Sequence, residues 1–153
     1  MEFVFGIREN KCIRFEVLGP TCPNAEENWY RAQLDVEIHA IVGTFRGYRS
    51  LVMFSDDFHL FRAALTRLSS GDAASAWLQT GDYLSVQVSA EGGAYNVWVQ
   101  LEALEQDGEE LLCEGGAENW EWRLATDRAS LDSLLAEVTR VSERYPTWSV
   151  SRS

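Results

Sequence analysis

The chain has 153 residues, 24 acids against 13 lysines and arginines, a formal net charge of −11 and a pI of ≈ 4.6. Hydrophobic residues make up 46% of it, and six Trp, five Tyr and seven Phe supply large rings, so one folded core is expected rather than disorder. The charge argues against nucleic-acid binding through phosphates, which needs clustered bases, and against an anionic membrane surface. No apolar run approaches the roughly 20 residues of a membrane span.

The charge is segregated. Between Leu68 and Trp122 there is no lysine, arginine or histidine, and eleven acids lie in that stretch. Removing it leaves 13 acids and 13 bases, a net charge of zero. A segregated negative field attracts a basic partner. Cys12, Cys22 and Cys113 are odd in number and form no CxxC pair, which excludes a zinc signature and points to reduced thiols. Met1–Gly6 has neither the basic start nor the long apolar run of a signal peptide, so a cytosolic protein is expected.

In chain order, Phe3, Phe5 and Ile7 alternate with Glu2, Val4 and Gly6, and Ile13, Phe15 and Val17 alternate with Arg14 and Glu16. Period-two alternation predicts two half-buried strands, joined as a hairpin through Glu9-Asn10-Lys11. Gly19–Asn24, with two prolines, reads as an exposed loop. From Trp29 to Ile41 the residues Leu34, Val36, Ile38 and Ala40 share one face, and Asp35, Glu37 and His39 the other. Phe45–Phe54 is the fourth strand, with Gly47 expected at a bulge.

The period then changes. Ser55-Asp56-Asp57 supplies an N-cap and first-turn acids, and Phe58, Phe61, Leu65 and Leu68 follow at helical spacing until Ser69-Ser70-Gly71. Five further strands are predicted at Ala76–Thr80, Tyr83–Ala90, Ala94–Glu105, Glu109–Glu114 and Trp120–Ala125. Gly92-Gly93 and Asp107-Gly108 mark hairpin turns. Thr126-Asp127 caps a second helix, whose stripe is Leu131, Leu134, Leu135, Val138, Val141 and Tyr145, and Pro146 stops it. The predicted fold is α+β: a curved antiparallel sheet or half-open β-sandwich with two amphipathic helices packed on it, in the order four strands, helix, five strands, helix. Residues 1–146 form one domain, and 147–153 a mobile C-terminal tail.

Candidate sites have ordinary readings beside them. His39 falls on the polar face of a strand and His59 in the first turn of a helix. Catalysis would need a nucleophile and an acid to converge on either, and no nucleophile elbow is present. Asp56-Asp57 is explained by helix capping without metal. Glu105, Asp107 and Glu109 resemble the start of a calcium loop, but the rest of the loop is missing. No metal or cofactor is expected. Trp98 lies opposite Val97, Val99 and Leu101, which face the core, so it is expected to point outward beside the acidic run. An exposed ring beside carboxylates is a candidate binding hot spot. In antiparallel strands some acids of the run Glu102–Glu121 would oppose one another at a cost in stability often tied to function, while the ordinary reading of such acids is solubility.

Three residue patterns carry a family resemblance. They are Phe45-Arg46-Gly47-Tyr48; Asp56-Asp57-Phe58-His59-Leu60-Phe61-Arg62-Ala63-Ala64-Leu65 followed by Gly81-Asp82-Tyr83-Leu84; and Trp122-Arg123-Leu124-Ala125-Thr126-Asp127 running into Leu131. Over about residues 12–145 the chain resembles the WapI-type immunity proteins of bacterial contact-dependent toxin systems. The resemblance implies a small cytosolic protein that binds and neutralises a toxin domain, often a nuclease. Nuclease toxins present basic clefts, and an acidic protein can occupy one with steered association.

The expected function is therefore a non-enzymatic inhibitor that docks a basic toxin domain through Trp98, Glu102, Glu105, Asp107, Glu109, Glu110, Glu114 and Glu118. The alternatives are a small-molecule-binding module, with an aromatic-lined pocket between sheet and helices, and an enzyme built on His39 or His59. The oligomeric state is not legible in the sequence.

Overall fold

The computed structural model describes residues 1–7, 11–24, 26–27, 32–42, 45–81, 84–102 and 119–147. Among the described residues, eight strands and two helices follow the order ββββαββββα. The first sheet is the antiparallel meander β1 (Glu2–Ile7), β2 (Lys11–Pro20), β3 (Gln33–Val42) and β4 (Phe45–Phe54). Helix α1 (Ser55–Ser69) follows. The second sheet repeats the plan with β5 (Ser75–Thr80), β6 (Leu84–Glu91), β7 (Ala94–Glu102) and β8 (Asn119–Thr126), and α2 (Arg128–Arg144) closes the unit. The strand expected at Glu109–Glu114, the Asp107-Gly108 turn, Cys113 and the tail beyond Thr147 lie outside the described residues.

Alternation sets which face each strand buries. In β3, Leu34, Val36, Ile38 and Ala40 are at most 2% exposed, while Asp35, Glu37 and His39 stay half-buried on the other face. Across the first sheet Phe3 pairs with Phe15 and Phe5 with Ile13, so the apolar residues of neighbouring strands meet on one side. In the second sheet the inward set is Ala76 and Leu78, Val86 and Val88, Val97 and Val99, and Leu124. The turn at Gly92-Gly93 has φ of 57° and 84°, the two positive values that a two-residue hairpin of this twist requires.

Three local expectations are corrected. Gly47 makes no bulge: it stands opposite Ala40 in an unbroken ladder. The irregularity lies instead in β2, where the register shifts between Val17 and Gly19, the latter at φ +137°. That extra residue lets the strand continue to Pro20, which the sequence placed in a loop. The N-cap of α1 is Phe54, not Ser55. The Asp57 carboxylate accepts the Phe54 backbone N–H at 3.0 Å, so the acid caps from the third helical position. Ser55 is buried and its hydroxyl donates to the Pro146 carbonyl at 3.0 Å. At α2 the expected cap is present: Asp127 Oδ1 accepts the Ser130 N–H at 2.7 Å.

The two ββββα units interlock. Helix α1 packs on β5 and on α2, whereas α2 packs on β1, and β1 lies alongside β8. One continuous core results, running from both sheets into both helices. Its centre is aromatic. The Phe3 ring stacks on Phe15 at 4.8 Å and meets Phe5 and Phe58 edge-on, and Phe5 contacts Phe61. These five rings are at most 2% exposed and pack between the first sheet and α1.

Candidate functional site

The outward faces of the sheets carry the candidate chemistry. On the second sheet the register sets up a transverse row of Trp77, Gln87, Trp98 and Arg123, one residue from each strand. Trp98 points outward as its alternation requires, on the face opposite the buried Val97 and Val99. It is half-buried because Trp77 stands against it edge-on, ring centroids 6.3 Å apart and planes at 80°. Trp77 remains 42% exposed. Trp77 was not among the expected site residues, although the inward Ala76 and Leu78 on either side of it signal that it faces solvent.

The next row is Gln79, Ser85, Gln100 and Glu121. Glu121 ties the two rows together: its Oε1 accepts the Trp98 indole N–H at 2.7 Å and lies 3.6 Å from Arg123 Nη2. That bond ties the polar edge of the indole to the neighbouring strand β8. The third row, Ser75, Ser89, Asn96 and Ala125, is small and neutral. A shallow groove of about 480 Å³ runs beside Trp98, over Gln87, Asn96 and Arg123. Two rigid indoles among amides and hydroxyls make a surface suited to a large contact with few charges to desolvate.

Of the acids expected at the site, the Glu102 side chain and Glu105, Asp107, Glu109, Glu110, Glu114 and Glu118 lie outside the described residues. Their anchorage is defined, however. β7 ends at Glu102 and β8 starts at Asn119, and these two are register partners. The acidic segment therefore leaves and re-enters the sheet at adjacent positions, one row beyond Gln100 and Glu121. Trp122 turns inward against the core.

Among the described residues neither histidine gathers a reaction centre. His59 Nε2 donates to the Tyr145 carbonyl at 2.8 Å and, with Ser55, pins the end of α2 to the start of α1. The His39 ring packs 5.2 Å from Tyr48, and among the described residues its buried Nε2 has no hydrogen-bond partner. Cys12 is buried and Cys22 exposed, and no disulfide joins them. Two carboxyls are tuned by helix starts. Burial pushes Asp57 above the ordinary carboxylate value, against the Phe54 N–H and helped by the neighbouring Asp56. The Ser130 N–H holds Asp127 below it. Among the described residues no group of three His, Cys, Asp or Glu gathers to hold a metal, and no helix is long and apolar enough to cross a membrane.

These features define an α+β protein of two interlocked ββββα units that displays a flat aromatic-and-amide sheet face. A model of the immunity protein WapI-like family matches residues 4–146, and the chain belongs to that family. Membership implies a toxin partner and a non-enzymatic, neutralising role. No curated protein matches the chain at a significant level. Among solved structures, MRP1/MRP2 of Trypanosoma bruciei is similar at 11% identity and a TM-score of 0.51, over 94% of this chain and 83% of that one. At that identity the likeness is one of fold.

Proposed function

We propose that the chain neutralises a basic toxin domain, a nuclease fitting best, by docking it on the outer face of the second sheet. Trp98 and Trp77 form the anchor, and the acidic segment from Glu102 to Glu118, rooted beside them, supplies the steering field. The observation that carries this reading is the paired indoles on the outer face of the second sheet, where Arg123 and Glu121 lie 3.6 Å apart, at the foot of the base-free acidic run. A nuclease holds phosphates in a basic cleft, so an acidic rim around an aromatic anchor is complementary to it. Capture in the cytosol before the toxin reaches its substrate fits the lack of a disulfide between Cys12 and Cys22.

The test is titration against a purified basic nuclease toxin domain. Trp98→Ala is expected to cost about 2 kcal/mol or more, roughly a 30-fold rise in Kd. Charge reversal at Glu105, Asp107, Glu109 and Glu110 together should slow association and flatten its salt dependence. Unchanged affinity in the first variant and an unchanged salt slope in the second would sink the proposal.

A further inference from the structure

The first half of the chain, outside the base-free stretch, looked electrically neutral, but its outer sheet face is not. Register places Glu2, Glu16 and Glu37 side by side on β1, β2 and β3. Arg14 serves the first two, at 3.1 Å from Glu2 and 3.7 Å from Glu16. Among the described residues no ion pair joins Glu37 or its neighbour Asp35. Glu37 accepts the Tyr48 hydroxyl at 3.0 Å, and Asp35 the Thr21 hydroxyl at 2.8 Å. Arg49, which could have balanced them from β4, is turned into the interior and is 5% exposed.

Around these two carboxylates the sheet leaves apolar side chains uncovered. Leu18 is 54% exposed, Val52 47% and Tyr48 37%. Together with Asp35 and Glu37 they line an open groove of about 640 Å³. Leu18 stands on β2 and Val52 on β4, so the walls lie about 10 Å apart across β3 at the usual strand spacing. Asp35 and Glu37 are two residues apart on one face of β3, which puts them roughly 7 Å apart along the floor.

We infer that this groove binds an extended basic segment carrying arginines at alternate positions. The spacing along the floor equals the same-side repeat of an extended peptide, so two arginines separated by one residue reach both carboxylates at once. The walls suit arginine rather than a bare cation. Its aliphatic stem covers Leu18 and Val52, and its planar head stacks on the Tyr48 ring while meeting a carboxylate. A second copy of the chain is disfavoured as occupant, because it would bring the same row of glutamates and a net charge of −11 to the contact. The inference stands apart from the toxin-docking face, which lies on the other sheet.

A fluorescent, end-blocked peptide Thr-Arg-Val-Arg-Thr titrated into the intact protein tests it. Saturable binding is expected, with methyl and ring NMR shifts at Leu18, Tyr48 and Val52. The isomer Thr-Val-Arg-Arg-Thr, equal in charge, should bind several-fold more weakly. The double variant Asp35→Asn, Glu37→Gln keeps acceptors for both hydroxyls and should fold as the parent does, which its urea midpoint checks. It should weaken binding about tenfold, as expected for two partly exposed charge pairs. Trp98→Ala should leave peptide binding unchanged, which separates this groove from the proposed toxin face. No saturation, shifts mapped elsewhere, equal binding of the isomer, or full affinity in the double variant would each overturn the inference. So would self-association in sedimentation that Val52→Asp abolishes.

Discussion

Phe3 sits where the interlock of the two units is most concentrated. Its strand pairs with β2 on one side, lies alongside β8 on the other and is covered by α2. Its side chain is 0% exposed and touches three rings: Phe15 at 4.8 Å and 17°, Phe5 at 5.8 Å and 82°, and Phe58 at 5.9 Å and 76°. Phe3→Ala removes a fully buried aromatic and leaves a cavity, worth about 4 kcal/mol. Phe3→Leu keeps most of the burial but loses three oriented ring contacts, each worth about 0.5 kcal/mol or more beyond area, so about 2 kcal/mol is expected. For a chain of this size the Ala variant should melt roughly 8–16 °C lower. The assay is equilibrium urea unfolding followed by tryptophan fluorescence, with the slope on urea unchanged so that the midpoint shift reads stability. A double-mutant cycle with Phe58→Leu should return about 0.5–1 kcal/mol of coupling between a strand and a helix on opposite sides of the core. A loss below about 1 kcal/mol in Phe3→Ala would refute the placement of β1 in the core. Zero coupling would refute the contribution of ring geometry.

Asp57 is held above the ordinary carboxylate value mainly by burial, so its folded form holds a proton more tightly than its unfolded form. Its charge therefore costs stability at neutral pH, and that cost disappears as pH falls through the folded value. Asp57→Asn, whose amide oxygen can still accept the Phe54 N–H, should equal or exceed the parent in urea midpoint at pH 7 and lose that advantage near pH 3. Asp57→Ala should lose about 1 kcal/mol through the missing cap, and equal damage in both variants would contradict this account. Asp127 carries the opposite sign. The Ser130 N–H lowers its folded value, so its contribution is complete above the unfolded carboxylate value and is lost as pH falls through the folded one. Asp127→Ala should lower the urea midpoint at pH 6 but not at pH 2, and Asp127→Ser should restore most of it; a deficit independent of pH would argue against the capping charge.

Local patterning carried much of the fold. The alternation of β3 assigned Leu34, Val36, Ile38 and Ala40 inward, and that of β7 placed Trp98 outward, because a strand's period of two depends on nothing beyond the chain itself. The Gly92-Gly93 turn and the Asp127 cap were legible for the same reason: each is settled within four residues. The departures came from partners that local patterning does not see. Gly47 suggested a bulge because glycine permits one, but the facing Ala40 accepts it in a regular ladder. Ser55 looked like a cap until its hydroxyl proved committed to Pro146, 91 residues away.

By itself, then, the sequence determined the α+β class, the order of elements, their buried faces and the family resemblance, since these follow from short-range periodicity and turn chemistry. It also located the base-free acidic run. Only the tertiary structure decided what meets what. It laid α2 across β1 of the other unit, set Trp77 against Trp98, and aligned Glu2, Glu16 and Glu37 into one row while turning Arg49 inward. Net charge along a chain is a sum, whereas the charge of a face depends on strand register. A segment whose acids and bases cancel on paper can therefore present an acidic groove in space.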